Sequence, residues 1–231
     1  MSLRLVAVPS PRRRPEQSIE VLVNSHTVSP GTQPLVLVDL LPMPSVRSRA
    51  IARDVALVLG FALLTAAAAQ VKFSLGFTPV PLTGQTFAVL LSGAALGTRR
   101  GAASQAAYWL LGMIGLPFYA GGDSGWSSAT GATFGYFVGF VVAAAVVGRL
   151  AERRHDREVL TSIVAMAFGT VVIFAAGAAW LSISLDVPLS GGDVNAISLG
   201  VTPFIVGDLA KMLLAGLLTP IVWATVSRKG S

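Results

Sequence analysis

The chain has 231 residues, 53% hydrophobic and only 12% charged, with a net charge of +6 and a mean hydropathy of +0.71. A soluble domain carries about 25% charge, so this composition with long apolar runs points to a polytopic membrane protein, and the short basic clusters between the runs set topology rather than bind nucleic acid. The absence of cysteine excludes a disulfide framework and a thiolate metal site, and the two histidines, His26 and His155, lie outside the apolar runs, which leaves no histidine metal cage and no base for a catalytic triad.

Residues 1–48 differ from everything after them. They hold seven of the thirteen prolines and the Arg12-Arg13-Arg14 cluster. No apolar run there is long enough to span, and none follows the arginines as a secretory signal requires. The segment reads as a disordered cytoplasmic tail, with Met43 as an alternative start of the protein. The first span is expected at 49–71, with small residues Ala62 and Ala66 four apart. Such spacing lets another helix approach closely, either within the bundle or from a partner. The segment 72–83 contains Pro79-Val80-Pro81, which disfavours helix, and reads as a loop or re-entrant entry into a second span at 84–96. A third span is expected at 101–116. Both are shorter than the roughly 20 residues of a perpendicular crossing.

Residues 117–130 form a glycine-rich loop without the spacing of a Walker or dinucleotide motif. A fourth span, 131–151, carries Gly131, Gly135 and Gly139 as a close-packing seam, with Tyr136 inside it as an interfacial anchor or a pocket residue. Arg149, Arg153, Arg154 and Arg157 lead to a fifth span at 160–185, and a sixth runs from 202 to 226. Six spans leave both termini on one side. That side holds Arg47, Arg49, Arg53, Arg99, Arg100, the four arginines after the fourth span, Arg228 and Lys229, whereas the opposite loops hold only Lys72. The asymmetry predicts an N-in, C-in topology.

In the sixth span, Gly207-Asp208-Leu209-Ala210-Lys211 places an acid and a base three residues apart, on one helix face. Ionisable groups inside a span mark a substrate or ion site by default, with a structural ion pair as the plain alternative. Asp208 lies roughly 7–8 Å below the outer end of its helix, and Lys211 about one turn deeper. Gln85 and Thr86 open the second span on the same side, and Tyr136 is one to two turns into the fourth. Their depths fit one outward-facing pocket for a small polar ligand with one negative charge. Lysine would take the anion, and aspartate and glutamine the N–H and C=O groups. Lys72, in an exposed loop, is expected to be screened.

The stretches Pro79-Val80-Pro81-Leu82-Thr83-Gly84-Gln85-Thr86, Gly115-Leu116-Pro117-Phe118-Tyr119-Ala120-Gly121-Gly122, Gly131-Ala132-Thr133-Phe134-Gly135-Tyr136 and Pro203-Phe204-Ile205-Val206-Gly207-Asp208-Leu209-Ala210-Lys211 occur in this order. Together they resemble the BioY family, the biotin-specific substrate-capture (S) components of energy-coupling-factor (ECF) vitamin transporters of prokaryotes. The family commonly has Pro-Thr-Gly-Gly-Tyr where this chain has Ala132 to Tyr136, and often a basic residue where it has Asp123. The resemblance implies an all-α, six-helix S-component fold at residues 49–229 in the cell membrane. It implies high-affinity capture of biotin from outside, with Gln85, Thr86, Phe118, Tyr136, Asp208 and Lys211 as binding residues. Biotin is then the transported ligand, with no cofactor or metal. It also implies partners, namely a transmembrane coupling subunit that docks on the first helix through Ala62 and Ala66, and two cytoplasmic ATPases. A self-sufficient proton-coupled carrier, with Asp208 as the proton site, is the alternative. An intramembrane enzyme is disfavoured, because no second carboxylate or nucleophile–base pair lies within the spans.

Overall fold

In the computed structural model, residues 35–41 and 44–229 are described. Six helices of 12 to 27 residues build the bundle: α1 (Arg47–Gln70), α2 (Gln85–Leu96), α3 (Thr98–Met113), α5 (Phe134–Glu152), α6 (Val159–Leu185) and α8 (Ile205–Lys229). Two one-turn helices, α4 (Trp126–Thr130) and α7 (Ala196–Gly200), stiffen the loops. The helices α1, α5 and α6, and the run Ala196–Val226 that takes in α8 up to Val226, are long and apolar enough to cross a membrane.

The shortness of α2 has a structural reason. Nine of its twelve residues are buried, so it is enclosed by its neighbours and presents little surface to lipid. Its sharp turn into α3 is made by Gly97 at φ +81°, a left-handed conformation that glycine adopts without a Cβ penalty. Glu152 at the end of α5 then caps α3, accepting from Thr98 N at 2.9 Å and Thr98 Oγ1 at 3.0 Å. These bonds satisfy donors that a helix start leaves open. Between α1, α2 and α3, Gln105 donates to Ser92 Oγ at 2.9 Å and accepts from Thr65 Oγ1 at 3.3 Å. All three side chains are buried, and the bonds satisfy polar groups that burial would otherwise penalise.

Helix α5 lies at the centre, against α2, α3 and α6. Small residues set these approaches. A Cβ added to Gly93 of α2 would meet Ala144 O of α5 at 2.6 Å, and one added to Gly139 would meet Ile173 Cα of α6 at 3.0 Å. The expected seam on the fourth span therefore exists at Gly135 and Gly139, facing α6. Gly131 stands outside the helix, in the turn before it.

Two expectations change. Ala62 and Ala66 are not on an outward docking face. They are buried in the core that also contains Tyr108 and Phe137, because α1 turns inward the face that carries Ala62, Thr65, Ala66 and Ala69. The outward face of α1 carries Val55, Leu59 and Leu63, flanked by Ala52, Ala56 and Gly60. The boundary of the tail also moves. Residues 35–41 form a 3-10 turn (Leu37–Leu40) whose Val36 and Val38 are buried with Leu96 and Ala151. Arg100 holds Asp39 at 3.5 Å and Asp54 at 3.0 Å, and Arg53 donates to Val38 O. Residues 1–34 and 42–43 of the expected tail lie outside the described residues.

Candidate functional site

The segment expected as a loop between the first two spans contains two short strands, β1 (Lys72–Phe73) and β2 (Leu82–Thr83), paired antiparallel with Lys72 opposite Thr83. The pairing brings the start of α2 against the first turn of α8. There Lys211 donates to Thr83 O at 2.6 Å, to Thr86 Oγ1 at 3.3 Å and to Asp208 Oδ1. Thr86 also donates to Asp208 Oδ1, at 2.8 Å. Asp208 is 4% exposed, and a buried carboxylate needs such partners to offset the loss of water. Among the described residues its second oxygen, Oδ2, has no protein donor.

Above this cluster lies an open-mouthed cavity of about 170 Å³. Its floor is the Thr86–Asp208–Lys211 cluster with Gln85, and its walls are aromatic, including Tyr119, Tyr136, Phe137, Phe140 and Phe204. The Tyr119 and Phe137 rings lie 4.8 Å apart, centroid to centroid. An apolar wall with a few convergent polar groups is the usual build of a small-molecule site.

The structure brings five of the six expected binding residues to this cavity: Gln85, Thr86, Tyr136, Asp208 and Lys211. Two of them are tied to the scaffold. Gln85 donates to Tyr108 Oη and accepts from Thr83 Oγ1 at 2.7 Å. Tyr136 donates to Gly200 O at 2.6 Å, so it is a buried wall residue and not an interfacial anchor. Phe118 does not line the cavity; it packs, partly buried, against the core. Its neighbour Tyr119 takes the wall position and donates to Trp109 O at 2.5 Å. Burial pushes the Tyr119 phenol up to about 12, and the Asp123 charge adds to the shift.

Lys72 and Asp123 also line the cavity. Neither is among the residues expected there. The signal for Lys72 was its isolation: it is the single basic residue in the loops opposite the basic side. Asp123 closes its own turn, accepting from Ser124 N at 2.8 Å and Ser128 Oγ at 2.7 Å. The loop that carries it is tied to the end of α1 by Gln70, which donates to Ala66 O at 2.9 Å and reaches Pro117 O and Tyr119 O at 3.4 Å.

The model of the BioY family matches residues 40–228. A probable biotin transporter BioY of Pyrococcus horikoshii is 38% identical over 164 residues, covering 71% of this chain and 92% of the relative. The biotin transporter BioY of Rhizobium etli is 36% identical over 174 residues, covering 72% and 90%. That of Thermotoga maritima is 38% identical over 160 residues, covering 68% and 88%. Among solved structures, the S-component for biotin from an ECF-type ABC transporter superposes with a TM-score of 0.67 at 24% identity, over 78% of this chain and 95% of that one. At that identity the superposition speaks for the fold.

Proposed function

The chain belongs to the BioY family, and from that premise we propose that it takes up biotin, capturing it in the cavity over Asp208. It is a transporter component and not an enzyme. The observation that carries the reading is Asp208 itself. Its carboxylate is held by Thr86 and Lys211 through one oxygen, while the other remains an acceptor at the floor of an aromatic cavity. A bicyclic urea offers N–H donors to such an acceptor and apolar faces to such walls. The ion pair with Lys211 provides a fixed counter-charge, which suits a static binding role.

The finer architecture belongs to the same proposal. All six long helices cross the membrane, with both termini inside, an orientation that the arginines at the start of α3 and in 149–157 favour. The cavity then opens outward. The short α2 and α3 complete their crossings with the loops at their ends. Energy comes from an ECF module, a transmembrane coupling subunit with two ATPases. Its contact would be the outward face of α1, where the exposed Ala52, Ala56 and Gly60 recur every four residues and permit close helix approach.

Equilibrium binding of biotin to the purified chain in detergent tests the central reading. Saturable one-site binding supports it, and absence of binding by a folded, monodisperse preparation refutes it. Uptake in cells with and without the coupling and ATPase subunits tests the partnership. Uptake that survives their loss and collapses with an uncoupler would transfer the assignment to a proton-coupled carrier.

A further inference from the structure

Two lysines line the cavity, and they are not equivalent. A lysine ammonium has three N–H donors and no acceptor. Lys211 directs its donors to Thr83 O, Thr86 Oγ1 and Asp208 Oδ1, and the Asp208 carboxylate neutralises it. Together they form a closed, net-neutral unit whose free feature is an acceptor. Among the described residues, the Lys72 ammonium makes no hydrogen bond and no ion pair. Asp123 lines the same cavity, but both its oxygens close the 123–128 turn.

The position of Lys72 is built by the fold. Its Cα is paired with that of Thr83, whose carbonyl accepts from Lys211. Its side chain lies across Gly121. A Cβ added there would meet Lys72 Cδ at 2.8 Å and Nζ at 3.4 Å, and the backbone has φ +73°. The left-handed turn calls for glycine, and the lysine side chain runs through the space next to it. Gly121 N donates to Ala69 O at 3.2 Å, which pins this loop to the end of α1 beside Lys72.

From this we infer that Lys72, and not Lys211, takes the carboxylate of the captured ligand. The inference rests on the proposed capture of biotin and deepens it. The cavity recognises a ligand whose N–H-bearing head reaches Asp208 and whose acidic end reaches Lys72, with the aromatic wall along the apolar part between. Lys72 is a specificity-determining residue that selects acids over neutral analogues of the same head. Because Lys72 is solvent-exposed, water and salt screen its pull, and the preference is modest, about fivefold.

The test is calorimetric binding of biotin and of its neutral amide, biotinamide, to the wild-type chain and to the Lys72→Gln and Lys72→Arg variants. The wild type should prefer biotin about fivefold, and rising salt should erode the preference. Lys72→Gln should abolish the preference, and Lys72→Arg should retain it. A thermal melt of each variant reports folding. A Lys72→Gln protein that still prefers biotin, a loss of both ligands together, or a wild type without preference would each overturn the assignment of Lys72 while leaving biotin capture standing. A folded wild type that binds neither ligand would overturn biotin capture itself.

Discussion

Asp208→Asn is the substitution whose outcome the structure constrains most tightly. Asparagine has the size of aspartate but one acceptor and one donor group, so it must choose which way to face. In the first orientation its carbonyl stays on Lys211 and Thr86, and its NH2 points into the cavity. In the second the carbonyl faces the cavity and the NH2 faces an ammonium and a hydroxyl. A hydrogen bond to a charged group contributes about 1.5–3 kcal/mol and a neutral one about 1 kcal/mol, and Lys211 is mostly buried, with 19% of its side chain exposed. The first orientation is therefore favoured. A ureido N–H then meets an N–H, and an unmatched donor costs about 1–3 kcal/mol, a loss of roughly five- to 150-fold in affinity. Isothermal titration calorimetry with biotin in detergent measures the loss, and a thermal melt reports the ion pair separately. Reduced affinity together with a lowered melting temperature, since Lys211 loses its counter-charge, is the expected result. Wild-type affinity would refute direct contact, and with abolished uptake it would favour the proton-coupled carrier.

Ala62→Trp and Ala66→Trp should fail to fold, since both sites are in the core and overpacking alone costs about 1–3 kcal/mol or more. Gly60→Trp, where an added Cβ meets nothing, should spare biotin binding and block co-purification with the coupling subunit; normal assembly and uptake would place the docking face elsewhere. Removing residues 2–34 should leave the melting temperature unchanged, whereas removal through 41 should lower it, because Val36 and Val38 each contribute up to about 1.5–3 kcal/mol of burial; equal melts for the two truncations would contradict this. At the α5–α6 loop, burial raises the Asp156 carboxyl, opposed by the Trp223 indole N–H it accepts and by Arg157 and His155. The folded state thus holds the proton more tightly than the unfolded one, so the chain loses stability as pH rises from the ordinary carboxylate value through the raised one, and Asp156→Asn should remove that slope. Melting curves of the two proteins from acid to neutral pH check this, and parallel profiles would show that Asp156 does not titrate in that window.

The amino-acid pattern alone determined what depends on local chemistry. Hydropathy marks the apolar runs because each residue in a span faces the same solvent choice, and the i, i+3 spacing puts Asp208 and Lys211 on one face whatever surrounds the helix. The ordered motifs of 79–86, 115–122, 131–136 and 203–211 identified the family. Local chemistry does not say which face looks inward. Ala62 and Ala66 have a spacing that serves an internal neighbour and a foreign helix equally, and only the packing of α1 against α2 and α3 turned them into the core. The adjacent Phe118 and Tyr119 were parted by the turn of the loop, one toward the core and the other into the cavity wall. Lys211 became a closed unit through Thr83 and Thr86, 128 and 125 residues away in sequence. Lys72, isolated in composition, reached the cavity because a two-residue strand pair set it opposite Thr83. Contacts across such separations form only when distant elements meet, so the division of labour between the two lysines belongs to the tertiary structure.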